Sequence, residues 1–189
     1  AYRPDAPQEV IPFSLFPAAL EPEGFVTAGT VPEAWLPGTP LKLRGPLGHG
    51  FAPPATAARL ALVGLDTHVG RLAPLWQPGE REIALFSDAA LPRLPAGVEA
   101  NPLRAFRDAL GWADYVAFDV PLGQWDVWGK RLADRPLPNP AEVLVHTAMP
   151  CAGLAACGIC AVPVKGKPRW SHACEVGPVF ALGDLLLTD

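Results

Sequence analysis

Arg59-Leu60-Ala61-Leu62-Val63 is a continuous apolar run behind a single cation, and three runs of the same texture follow it: Glu82 to Phe86, Tyr115 to Val120 and Val143 to Val145. Short unbroken aliphatic runs suit strands that are buried on both faces. Stretches of helical period lie between them. Pro102 to Trp112 sets Leu103, Phe106, Ala109 and Leu110 on one helical face, with Asn101 as the cap and Pro102 at the first helical position. Leu122 to Ala133 places Trp125, Trp128 and Leu132 at helical spacing, a stripe that reads as core packing. Strands alternating with helices predict an α/β unit with a parallel sheet over 59–145.

Outward from that unit the texture changes on both sides. Residues 1–58 are dense in Pro and Gly, with short apolar pieces at Ile11 to Phe16, Phe25 to Ala28 and Leu41 to Leu43, so a small β unit is expected there. It ends in Arg44-Gly45-Pro46-Leu47-Gly48-His49-Gly50-Phe51, which reads as an ordered turn. After His146 the chain becomes a Cys- and Gly-rich loop region with little room for long elements, giving a third unit over 146–189.

Composition narrows the function classes. The net charge of -4 and the absence of any Lys or Arg run argue against nucleic acid, which needs clustered cations. No stretch reaches the roughly 18 apolar residues of a membrane span, and the Ala-Tyr-Arg-Pro-Asp opening does not read as a signal peptide, so a cytoplasmic protein is expected. The 24 prolines are scattered instead of periodic, which points to stiffened loops.

All four cysteines, Cys151, Cys157, Cys160 and Cys174, fall within 24 positions. A tight Cys-x-x-Cys pair supplies two thiolates from one turn, and the outlying cysteines can close the shell. Disulfides suit a small secreted protein better than a chain of this kind. Zinc and an iron-sulfur cluster both remain compatible with the spacing. The small residues between Cys151 and Cys160 favour a cluster, because they let backbone amides approach sulfur. His172 is a weaker alternative ligand. His49, His68 and His146 have no base-and-nucleophile arrangement nearby, and Asp114, Asp119 and Asp126 read as solvated positions or caps.

Three stretches carry a family resemblance: Met149-Pro150-Cys151, Cys157-Gly158-Ile159-Cys160-Ala161-Val162 and Ala173-Cys174-Glu175-Val176-Gly177-Pro178-Val179-Phe180. Together they resemble the iron-sulfur end of dihydroorotate dehydrogenase electron-transfer subunits. Gly45 to Phe51 is similar to that family's junction after its flavin barrel, and Trp112 to Ala117 to a strand entry in its α/β domain. The resemblance implies a shortened flavin-barrel-like β unit, a ferredoxin-reductase-like parallel α/β domain and a C-terminal 2Fe-2S loop subdomain. It implies Cys151, Cys157, Cys160 and Cys174 as iron ligands, and a role in pyrimidine biosynthesis as an accessory oxidoreductase subunit that relays electrons to or from a flavoprotein or dehydrogenase subunit.

The departures are specific. Five residues separate the first two cysteines where the family has four, an extra residue that small side chains can absorb as a bulge. Ile11-Pro12-Phe13-Ser14-Leu15 resembles the flavin-contacting strand and makes Ser14 a candidate FAD contact, yet Ile11 replaces the arginine that pairs with flavin phosphate. Gly64 and Gly70 occupy the place of the nucleotide turn, but Leu65 obstructs a pyrophosphate and Asp66 repels it, so both glycines read as turn residues and NAD is disfavoured. Two alternatives stand beside the electron carrier: an FAD/NAD-using oxidoreductase subunit, and a non-redox interaction module stapled by zinc. An incomplete barrel would leave an apolar face, from which homo- or hetero-oligomers are expected.

Overall fold

The computed structural model describes residues 1–6, 11–66, 68–76, 79–133, 140–166 and 168–185. Thr67 in the predicted nucleotide turn and 186–189 of the predicted third unit lie outside them. The centre is a six-stranded sheet in the order β10-β7-β6-β3-β4-β5. Its strands are β3 (Arg59–Gly64), β4 (Glu82–Phe86), β5 (Val98–Asn101), β6 (Tyr115–Pro121), β7 (Ala141–His146) and β10 (Val179–Ala181). All neighbours run parallel except the antiparallel edge pair β10–β7.

The expected parallel sheet over 59–145 is therefore present, with the four predicted strands in place. The uninterrupted apolar runs follow from burial on both faces. Ala61, Val63, Val116, Phe118, Val120, Val143 and Val145 point into one core layer, and Leu60, Leu62, Leu85, Tyr115 and Ala117 into the other. The chain winds outward from β3 through β4 to β5, then returns to lay β6 and β7 on the opposite side. The strand order thus reverses between β3 and β6, which creates a crevice at their carboxyl ends.

A 3-10 helix, Gly70–Trp76, covers the second layer through Leu72, Ala73, Leu75 and Trp76. The first layer is covered by α1 (Phe106–Ala109) and α2 (Trp125–Ala133). The first predicted helix is shorter than its periodicity suggests, whereas the second fills its predicted span, 122–133. Each opens with a 3-10 turn, Leu103–Ala105 and Leu122–Gln124. The first has only the connection from β5 to β6 to form in, and that connection must also carry the chain across three strand spacings, about 14 Å. Asn101 is not its cap: Asn101 ends β5, and Asp88 Oδ1 accepts the Leu103 N–H at 3.0 Å. The tryptophan stripe is core packing as read, with Trp125 and Leu132 buried.

Among the described residues of 1–58 there is one hairpin, β1 (Pro17–Glu21) with β2 (Gly24–Thr27). Ile11 to Phe16 forms no strand, and Leu41 to Leu43 contributes a single bridge, Tyr2 with Lys42. The last segment differs in the other direction. It holds a second hairpin, β8 (Ala161–Pro163) with β9 (Trp170–His172), and its β10 joins the main sheet and leads into α3 (Leu182–Leu185). Cys160, Val162, Ala173, Cys174 and Phe180 share the first core layer with α1 and α2, so the described part of the last segment shares the core of the sheet. No helix among the described residues is long and apolar enough to cross a membrane.

Candidate metal centre

The four cysteines are set in two pairs by two devices. A β-hairpin does half of the work: β8 begins one residue after Cys160, β9 ends two residues before Cys174, and Ala173 N–H donates to Cys160 O at 2.9 Å. That register sets Cys160 Sγ 3.3 Å from Cys174 Sγ, both side chains buried. The separation is far beyond a disulfide bond, and all four cysteines are free thiols. It is close to the spacing of about 3.8 Å between two thiolates on one tetrahedral metal with 2.3 Å bonds.

The other half is the loop 151–158. Ala152, Gly153, Ala155 and Gly158 all have positive φ, between 52° and 77°. Left-handed alanines cost of order 1–3 kcal/mol each and persist where the surroundings over-determine them. Here they curl the backbone so that its amides face sulfur. The N–H groups of Ala156, Cys157 and Leu154 and the thiol of Cys157 all hydrogen-bond Cys151 Sγ. These contacts, the Ala156 amide foremost, pull the Cys151 thiol down to about 6. Burial, with the Cys160 thiol alongside, pushes Cys174 up to about 11, although the Ala155 amide points at its sulfur.

The thiols thus form two pairs, Cys151 with Cys157 and Cys160 with Cys174. The first pair faces outward, with Cys157 exposed, and the second is inside. Among the described residues no three or more His, Cys, Asp or Glu side chains are placed as ligands of one metal ion. Two thiolates for each of two irons is the demand of a dinuclear cluster, and the donor set and inward amides fit it. His172 Nδ1 lies 3.9 Å from Glu175 Oε2.

The predicted turn 45–51 buttresses this loop, a role that was not legible in the sequence. A Cβ on Gly153 would fall 2.4 Å from Leu47 Cδ1, and one on Gly48 would fall 1.6 Å from Gly177 O. His49 N–H donates to Gly177 O at 2.5 Å, and His49 bridges to Pro178. The segment is wedged against both ends of the cysteine site.

A second polar site sits in the crevice at the carboxyl ends of β3, β6 and β7. Arg71 Nε lies 3.0 Å from both oxygens of Asp119, and its outer nitrogen lies 2.6 Å from Asp66 Oδ2 and 3.0 Å from His146 Nε2. His146 Nε2 is also 3.1 Å from Asp66 Oδ2. Asp119 is fully buried, which corrects its reading as a solvated position. Burial raises its carboxyl to about 6 against the pull of Arg71. Burial first, and then the Arg71 charge, lowers His146 to about 4. The apolar run Tyr115 to Val120, with one carboxylate inside it, was the signal that could have marked Asp119. Asp114, by contrast, pairs with Arg59 at 2.7 Å at the opposite end of the sheet.

The remaining candidates lie around this crevice or away from it. Gly64 is packed so closely that a Cβ would fall 2.7 Å from Val69 Cγ1. Gly70 abuts Ala28 of the segment after β2, and the Arg71 guanidinium stands 5.8 Å from the Phe16 ring centroid. The N-terminal hairpin therefore lies against the helix where the nucleotide turn was sought. Ser14 is half-buried in the stretch before β1. Compared with models of protein families and with curated proteins, the sequence matches none of them.

Proposed function

We propose that the chain is an electron-transfer protein carrying a 2Fe-2S cluster on Cys151, Cys157, Cys160 and Cys174, and that it relays single electrons to or from a flavin partner, as its resemblance to dihydroorotate dehydrogenase electron-transfer subunits implies. The observation that carries this reading is the arrangement of four free thiols as two pairs, with backbone amides turned toward sulfur.

When bound, the cluster supplies a reversible one-electron couple. The chain's own residues do the rest. Cys160 and Cys174 anchor the inner side on the hairpin base, where the core excludes water. Cys151 is held ready as a thiolate by three amides, so little proton loss opposes its use as a ligand near neutral pH. The same amides favour the more negative, reduced state by donating hydrogen bonds to sulfur. Exposed Cys157 marks the side from which electrons enter or leave. No acid or base is required at this site.

The test is an absorption and EPR spectrum of anaerobically purified protein, with iron and sulfide analysis. Broad visible bands that bleach with dithionite, with about two irons and two sulfides per chain, are expected. Colourless protein with one zinc per chain would establish the zinc-stapled module instead. Added flavin peaks would establish the FAD-using subunit.

A further inference from the structure

We propose that Cys160 and Cys174 form a peroxide-responsive dithiol switch: in the metal-free chain they close to a disulfide, and the closed form takes up no metal. The inference adds regulation to the same site. Its consequence for metal rests on the metal-centre reading, while the disulfide stands on the geometry alone. Cys160 Sγ lies 3.3 Å from Cys174 Sγ, so an approach of about 1.3 Å brings the sulfurs to the roughly 2.0 Å of a disulfide bond. Small rotations of the two side chains cover that distance, because the hairpin already holds the backbones together: Ala173 N–H donates to Cys160 O at 2.9 Å.

Spacing in the chain points to a different pair, Cys157 with Cys160, and the fold separates that one. Gly158 turns the backbone with φ 70°, and its carbonyl accepts the Ala161 N–H at 3.0 Å. Cys157 is left exposed and Cys160 buried. Cys174 is held inside by tight packing after it, since a Cβ on Gly177 would fall 2.5 Å from Phe180 Cε2 and 3.0 Å from Ala173 Cα. The inner sulfurs face each other within the layer that Val162, Ala173 and Phe180 share.

Burial selects the oxidant. Hydrogen peroxide is small and uncharged enough to reach this pair, whereas glutathione disulfide is bulky and charged and meets exposed thiols first. One inner sulfur attacks a peroxide oxygen, the O–O bond breaks, and the thiol proton leaves with the other oxygen as water. The sulfenic acid so formed is attacked by the second sulfur, which loses its proton and expels a second water. Two thiols thus give up two electrons and two protons, and one peroxide becomes two waters. With the second sulfur this close, disulfide formation outruns further oxidation. The closed pair has lost two of the four thiolates that a metal needs.

The experiment strips the full chain of metal with a chelator under argon, treats it with one equivalent of hydrogen peroxide, and alkylates the remaining thiols after denaturation. Trypsin cuts after Lys165 and Arg169, between the two cysteines, so the expected disulfide joins the flanking peptides and shields Cys174 from alkylation. Cys151→Ser with Cys157→Ser leaves the inner pair alone. That variant should lose two hydrogens in intact mass and melt about 5–10 °C higher once oxidised, both reversed by dithiothreitol. Glutathione disulfide should react with it at least about tenfold more slowly than peroxide. Oxidised wild-type chain, given ferrous iron and sulfide without a thiol reductant, should take up less than about a tenth of the iron that the reduced chain does. A Cys157–Cys160 link with Cys174 alkylated overturns the proposal, as do an intermolecular disulfide, sulfinic acid products, equal rates with the two oxidants, or full iron uptake by the disulfide form. A reduced chain that takes up neither iron nor zinc defeats the metal-centre reading instead, and the peptide map decides the disulfide in either case.

Discussion

Arg71 lays its Nε 3.0 Å from both carboxylate oxygens of Asp119, a residue with no exposed surface at all. The two side chains come from positions 48 apart in the chain and meet where the strand order of the sheet reverses. A buried carboxylate is tolerable only with such a partner.

Removal of that partner should therefore be expensive. Arg71→Met is expected to destabilise the fold by about 3–5 kcal/mol, because it leaves Asp119 buried and uncompensated. Adding Asp119→Asn to it should recover part of the loss. Urea denaturation of both single variants and the double variant measures the coupling, and additive effects would refute it.

The same cluster predicts a cancellation in pH dependence. Asp119 is raised from 3.8 to about 6, so in that window the folded state holds a proton that the unfolded state lacks, and stability falls as pH rises. His146 is lowered from 6.5 to about 4, so the unfolded state holds the extra proton, and stability climbs with pH over nearly the same window. Between about pH 4 and 6 the two contributions oppose one another, and their sum should be nearly flat. His146→Gln should unmask the falling slope and Asp119→Asn the climbing one, each at most about 1.4 kcal/mol per pH unit. Chemical denaturation at stepped pH gives both slopes.

Gly48→Ala should be among the most damaging single-methyl additions to the chain. Its Cβ would overlap Gly177 O, a backbone atom with no room to move, and the residue has φ +62°. A loss of more than about 3 kcal/mol is expected from overlap and backbone strain together. Since Gly177 lies three residues after Cys174, metal content should fall with stability. Gly50→Ala, which meets nothing within 4 Å, is the matched control.

Serine substitution should separate the inner and outer thiols. Cys160→Ser and Cys174→Ser place an oxygen in the buried pair and should cost both iron and fold stability. Cys157→Ser, at an exposed position, should lower iron content while the iron-free fold keeps its melting temperature within a few degrees. Iron analysis and thermal melts of the iron-free proteins distinguish the two classes.

The amino-acid sequence by itself determined the sheet strands and the cysteine-bearing segment. Arg59 to Val63 and Tyr115 to Val120 are apolar at every consecutive position after their first residue or nearly so, a pattern that only burial on both faces sustains, and four thiols within 24 positions are local information. Tertiary structure alone decided which thiols pair, because a hairpin register and two left-handed alanines control it. It likewise decided that Leu47 backs Gly153 and that Arg71 meets Asp119. Contacts between residues dozens of positions apart leave no periodicity in the chain; they are selected by how whole elements pack, after local preferences have been spent.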